Sequence, residues 1–211
     1  MTQPAAPLRP GRHWSLLIPL GLSYLWFFIL EVVEPHPRYF MYTPMDDFIP
    51  FLPVFIIPYV IWYFYIAVPG VVLLLQDAAA FCRYASFLTG CMMISCAIYT
   101  FLPNGILLRP DLTGEPGAFN AVIRLLYSID TPTNSAPSLH VAQSVGAHVA
   151  ILRYNRKNKK KRGVLPASLV LCVLIMLSTV FIKQHSVLDI WAGLLLAAVL
   201  YFAVYFKRRN P

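Results

Sequence analysis

Charge is what this 211-residue chain has least of: 12% of its residues are Asp, Glu, Lys or Arg, and only nine are acidic. A soluble domain carries about a quarter charged residues. With 58% hydrophobic content and a mean hydropathy of +0.64, the shortage excludes an ordinary water-soluble domain. The four cysteines (Cys82, Cys91, Cys96, Cys172) form no CxxC pair and lie in or beside apolar runs. They read as small buried apolar groups, with neither a zinc site nor a disulfide framework implied. The chain has no internal repeat, no glycine-rich phosphate loop, no Asp/Glu cluster with metal-ligand spacing and no low-complexity tract beyond one lysine run. The basic start "MTQPAAPLRPGRH" leads into a long apolar stretch without a small-residue cleavage site, which reads as a retained helix and not a signal peptide.

Hydrophobic length is what the chain has in plenty. A membrane span takes roughly 20 mostly apolar residues, and six segments approach that length. They run from about Trp14 to Val33, Phe48 to Leu75, Tyr84 to Leu102, Pro137 to Leu152, Val164 to Ile182 and Ser186 to Phe206. Prolines 50, 53, 58 and 69 interrupt the second, and the fourth is short and carries His140 and His148. The expected fold is an all-α integral membrane protein: one six-helix bundle over residues 1–211, with no soluble domain.

All but four of the seventeen lysines and arginines fall on one side of such a bundle, the exceptions being Arg38, Arg109, Arg124 and Lys183. Cytoplasmic loops hold the basic excess, so both termini are expected in the cytoplasm. The net charge of +8 is concentrated in "RYNRKNKKKR" and the terminal "KRR". Topology and contact with anionic lipid account for it, and no nucleic-acid partner is expected.

The opposite face then collects the loops 34–47, 103–136 and 183–185, the second long enough to suggest function. Ionisable groups at membrane depth are costly and mark function. In "KQHSVLDI", His185 and Asp189 are four apart and share a helix face. A carboxylate there fixes the imidazole tautomer and raises the basicity of the free nitrogen. Taken alone, the pair is equally well explained by an aspartate serving the helix dipole and a histidine capping a turn. His140 follows "SAPS", where Ser135 and Ser138 are natural caps, proline suits a first turn, and open amides make an anion site. Arg109 in "LLRPDL" offers the fork geometry phosphate favours, or else pairs with Asp111. Each motif is weak alone; their occurrence in order on one face is the signal.

The ordered set resembles the type 2 phosphatidic acid phosphatase superfamily, which includes lipid phosphatases, undecaprenyl pyrophosphate phosphatases and sphingolipid synthases. Its first motif, K-x6-R-P, is kept at Arg109 and Pro110, with Leu102 where the lysine belongs. The second, P-S-G-H, is kept at Pro137, Ser138 and His140, with Leu139 for the glycine. The third, S-R-x5-H-x3-D, is kept at Ser178, His185 and Asp189, with Thr179 for the arginine. The resemblance implies a six-span bundle with a metal-independent, cofactor-free site at the outer helix ends. It implies His185 as nucleophile held by Asp189, and His140 as acid and then base. Arg109 and Ser138 would bind the substrate phosphate, and Lys183, two residues before His185 on the same outer face, would join them and supply part of the charge of the two missing cations.

The expected activity is a lipid phosphatase acting on a lipid phosphate or polyprenyl diphosphate through a phosphohistidine, at the non-cytoplasmic face of a cell or plasma membrane. Loss of two cations, each normally worth a few kcal/mol to the transferring phosphoryl group, keeps head-group transfer of the sphingolipid-synthase type open. A non-catalytic transporter or scaffold explains the spans but not the convergence of motifs. His148 is expected to pack within the bundle. Asp46 and Asp47 either orient a head group or cap the second span, and Arg124 and Asp130 have no assigned role. Membrane lipids are the expected partners; the oligomeric state is not fixed.

Overall fold

The computed structural model describes residues 12–33, 36–158 and 163–206. Of the basic residues used above for orientation, Arg9, Lys159, Lys160, Lys161, Arg162, Lys207, Arg208 and Arg209 lie outside the described residues. Among the described residues, seven α-helices follow in order: α1 Leu17–Val33, α2 Ile56–Gln76, α3 Ala78–Phe101, α4 Ala118–Ile129, α5 Leu139–Asn158, α6 Val164–Phe181 and α7 Val187–Tyr201. Five helical stretches are long and apolar enough to cross a membrane: His13–Val33, Pro53–Gln76, Ala78–Phe101, Val164–Phe181 and Val187–Phe206. The protein is an integral, multi-pass helical bundle.

The fourth expected segment is α5, which is longer than the sequence suggested and more polar than its neighbours. It runs on through Arg153 and Arg156 to Asn158, about 30 Å at 1.5 Å per residue. It packs against α2, α3, α6 and α7, and Gln143 and Ser144 are fully buried on it. Because its sides meet protein and not lipid, it needs no apolar surface, which is why its hydropathy reads low.

Proline placement shapes the second segment. The chain from residue 44 to 55 forms two short 3-10 turns, Pro44–Phe48 and Pro53–Phe55, each opening on a proline, where fixed φ and a missing N–H are tolerated. Helix α2 begins only at Ile56 and carries Pro69 in its interior. The loop expected at 76–83 shrinks to Asp77, whose side chain accepts from the Ala80 amide at 3.1 Å and caps α3. Part of the long 103–136 loop folds into α4. Its Ile123 and Leu126 face inward, while Phe119, Val122, Leu125 and Ile129 stay exposed along one stripe.

Contacts at one end of the bundle join Lys157 to Asp77 at 2.5 Å, Arg153 to the Tyr201 hydroxyl at 3.2 Å, and the His13 ring to Phe81. The start of the first span, the α2–α3 turn, the end of α5 and the end of α7 therefore lie together. The other end gathers the starts of α5 and α7, helix α4, and a two-residue parallel pairing of Tyr39–Phe40 with Asn104–Gly105. Cys91, Cys96 and Cys172 are buried.

Candidate active site

The turn between α6 and α7 is built by backbone geometry. The amides of Gln184 and His185 both donate to the Thr179 carbonyl, at 2.9 and 3.0 Å, folding the chain back within a few residues. Lys183 adopts φ 54°, in the left-handed region. Ser186 then caps α7, its hydroxyl accepting from the Leu188 amide, while Asp189 reaches back to the Ser186 amide at 3.0 Å. This reciprocal arrangement satisfies two orphan donors of the helix start. The same Oδ2 of Asp189 bonds Nδ1 of His185 at 3.1 Å, and Asp189 is 0% exposed. The imidazole is thus fixed at Nδ1, with Nε2 on the far side of the ring.

His140 lies in the first turn of α5. Its position is set from the end of α3, where the Asn104 Oδ1 accepts from the amides of Ser135 and Ala136 at 3.0 and 2.8 Å. The Asn104 amide group donates to the Ala136 carbonyl, and the Tyr99 hydroxyl donates to the Pro137 carbonyl at 2.7 Å. The Ser138 amide donates to the Asp189 carbonyl at 3.1 Å, tying the starts of α5 and α7 together. Gly193 permits that approach: a Cβ there would sit 2.7 Å from the Ser138 carbonyl oxygen. The His140 ring stacks on Tyr59 (4.3 Å) and lies 4.1 Å from Trp62, and it meets His185 edge to face at 5.8 Å. Its Nε2 is buried without a partner.

Both histidines line a cavity of about 570 Å³. Four of the lining side chains, Phe28, Val32, Tyr63 and Ile129, are exposed on the outer surface, so the cavity opens where α1, α2 and α4 meet. Polar groups on its wall are Glu31, Asp130, Thr131, Thr133, Asn134 and Gln184. Glu31 accepts from Thr131 Oγ1 and Asn134 Nδ2, each at 2.6 Å. Asp130 accepts from the Tyr59 hydroxyl at 2.8 Å and Gln184 Nε2 at 3.0 Å. Burial raises the Asp130 carboxyl above its ordinary range, with the Tyr59 hydrogen bond and the Arg109 charge opposing. A separate groove of about 650 Å³, lined by Leu102, Pro137 and Leu195 among others, has neither histidine nor carboxylate on its wall.

The sequence-derived residues thus divide. His140, His185 and Asp189 come together at one end of the bundle. Arg109, Ser138 and Lys183 are close by but do not line the cavity. The Arg109 guanidinium donates to the carbonyls of Tyr127 and Asp130, at 3.3 and 2.6 Å, and lies over the Tyr127 ring. It does not pair with Asp111, which accepts from the Thr113 amide. The Lys183 ammonium donates to the carbonyls of Asp46 and Ile49 at 2.8 and 2.7 Å. Ser138 Oγ accepts from the Val141 amide at 3.4 Å. Leu102 and Thr179, where the family pattern has cations, lie off the cavity wall.

Other residues are left open by the sequence or passed over by it. Asp46 is buried and caps α7 from outside, accepting from Ser186 Oγ at 2.7 Å and the Val187 amide at 2.9 Å. Its apparent partner in sequence, Asp47, instead accepts from the Tyr42 hydroxyl. Glu31 carried a usable signal, an acidic residue inside a hydrophobic run; Tyr59 and Trp62 carried none, since aromatic residues suit any span. Arg124 pins the loop by donating to the carbonyls of Leu112 and Glu115. His148 is hydrogen-bonded to Ser168 Oγ at 3.0 Å, away from the cavity.

Among the described residues, no group of three or more His, Cys, Asp or Glu is placed to hold a metal ion. No curated protein and no solved structure matches the chain. The family model of the PAP2 superfamily matches residues 80–210, a stretch that contains His140, His185 and Asp189. With more than half its length matched and this histidine pair at the mouths of two packed helices, the chain belongs to the PAP2 superfamily.

Proposed function

We propose that the protein is a lipid phosphatase or phosphotransferase that works through a phosphohistidine on His185. The observation that carries this is the His185–Asp189 pair facing His140 across 5.8 Å in a cavity open to the lipid side. Attack at about 3 Å from phosphorus and a hydrogen bond of about 3 Å to the leaving oxygen together fit two rings at that separation. His185 Nε2 forms the N–P bond as the P–O bond to the leaving group breaks, and His140 gives that oxygen its proton. Water or a second alcohol then loses its proton to His140, forms the new O–P bond and releases His185. Asp189 holds the ring throughout.

Ser138 and the first-turn amides of α5 are the proposed supports for the phosphoryl oxygens. Arg109 and Lys183 reach those oxygens only by releasing their carbonyl partners. In this reading α5 is a sixth crossing, the histidines lie at the non-cytoplasmic face, and charge stabilisation comes from protein donors without a metal. The test is release of phosphate or head group from lipid substrates by purified protein with a chelator present. Turnover that stops on His185→Ala and persists with EDTA is expected; turnover lost to EDTA, or kept by His185→Ala, overturns the reading.

A further inference from the structure

We infer that the cavity selects a head group in which an ammonium sits beside the phosphate, with Glu31 and Asp130 as its counter-charges. This rests on the phosphoryl-transfer reading of the same cavity. A site for a bare phosphate should present cations, yet among the described residues the cavity wall carries two carboxylates and no lysine or arginine. The nearby cations are committed elsewhere, Arg109 to the Tyr127 and Asp130 carbonyls and Lys183 to those of Asp46 and Ile49.

The carboxylates are built into the wall. Glu31 on α1 takes three donors from the 131–134 segment: Thr131 Oγ1, the Thr131 amide and Asn134 Nδ2. That pattern suits an acceptor-only carboxylate. Asp130 takes two, from Tyr59 and Gln184. A multiply charged phosphate held beside both would be repelled by each. An ammonium between them and the phosphoryl group reverses the sign of that interaction.

A further observation points to a ligand that donates hydrogen bonds. Gln184 is 5% exposed and lines the cavity, and its Oε1 has no partner. A buried acceptor without a donor is costly, and a phosphate, which is itself an acceptor, cannot relieve the Gln184 oxygen; an ammonium N–H can. The rings of Tyr24, Phe27, Phe28, Tyr63 and Tyr99 form a further part of the wall, and aromatic faces favour a cation. Burial that raises the Asp130 carboxyl would be offset by such a cation.

The test compares phosphatidylethanolamine, phosphatidylcholine, phosphatidylglycerol and phosphatidic acid with the full-length protein in mixed micelles. Diacylglycerol release is measured, together with thermal stabilisation of the His185→Ala protein by each lipid. The zwitterionic lipids should exceed the anionic ones by about tenfold or more in kcat/KM, and Glu31→Gln should erase most of that ratio. Ethanolamine above choline assigns the N–H to Gln184; equal use of both assigns the cation to the rings. Either carries the inference. His185-dependent turnover that favours phosphatidic acid or phosphatidylglycerol overturns it while leaving the phosphoryl-transfer reading intact. If no lipid is turned over, that reading fails, and stronger stabilisation by the anionic lipids overturns the inference as well.

Discussion

One oxygen of Asp189 does two things at once: Oδ2 accepts from the Ser186 amide at 3.0 Å and from His185 Nδ1 at 3.1 Å. The start of α7 and the orientation of the imidazole are therefore fixed by the same atom. Asp189→Asn keeps the volume but removes the charge behind the ring. We expect kcat to fall about 10²–10⁴-fold, the range of lost acid–base assistance. KM should change little, as measured on whichever lipid the wild type turns over. An unchanged kcat would remove Asp189 from the mechanism.

Asp46 stands one layer further out, accepting from Ser186 Oγ and from the Val187 amide. Asp46→Ala leaves both donors buried without partners, a loss of about 1–3 kcal/mol for each unsatisfied group. A fall in melting temperature and in kcat is expected, with Asp46→Asn recovering a good part of both because its carbonyl oxygen still accepts. If Asp46 instead met the substrate head group, the two variants would raise KM and leave the melting temperature alone.

Lys183 offers a sharp contrast between two roles. Its ammonium bridges the carbonyls of Asp46 and Ile49, joining the α6–α7 turn to the 44–49 segment. Lys183→Met should destabilise the fold by about 1.5–3 kcal/mol, the worth of hydrogen bonds to a charged group. KM and inhibition by inorganic phosphate should stay near wild type. A large rise in both with an unaltered melting temperature would make the lysine a phosphate ligand.

Asp130 supplies a pH signature. Its carboxyl is raised above the ordinary aspartate value of about 4, chiefly by burial, so the folded chain holds this proton where the unfolded chain has lost it. The associated stability is fully present below that ordinary value and is lost as pH rises through the folded one. Asp130→Asn has no such proton to lose. Its melting temperature relative to wild type should therefore climb from about pH 4 toward neutrality. A difference that stays flat with pH would show that Asp130 titrates normally.

Much of the bundle was legible because lipid imposes a simple rule, apolar length, on every helix that touches it. Helix α5 sat at the edge of that rule, since a helix surrounded by protein is released from it. Helix α4 was missed inside the long loop, although its inward Ile123 and Leu126 are three apart, a spacing that a search for spans passes over. The histidines and Asp189 were legible through their order and spacing. The commitments of Arg109 and Lys183 were not, because main-chain carbonyls leave no mark in a sequence. Asp46 could be read either as a cap or as a ligand until the fold carried it to the start of α7.

The cavity is assembled from two stretches of the chain, one within the residues that the family model matches and one ahead of them. His140, His185 and Asp189 lie within residues 80–210, which the family model describes, while Glu31, Tyr59 and Trp62 lie ahead of it on α1 and α2. The proposed reacting groups and part of the cavity wall therefore come from different stretches, joined where Tyr59 and Trp62 pack against the His140 ring. A change at Glu31 on α1 alters the wall through Thr131 and Asn134 alone, whereas a change at Tyr59 or Trp62 on α2 reaches the His140 ring directly.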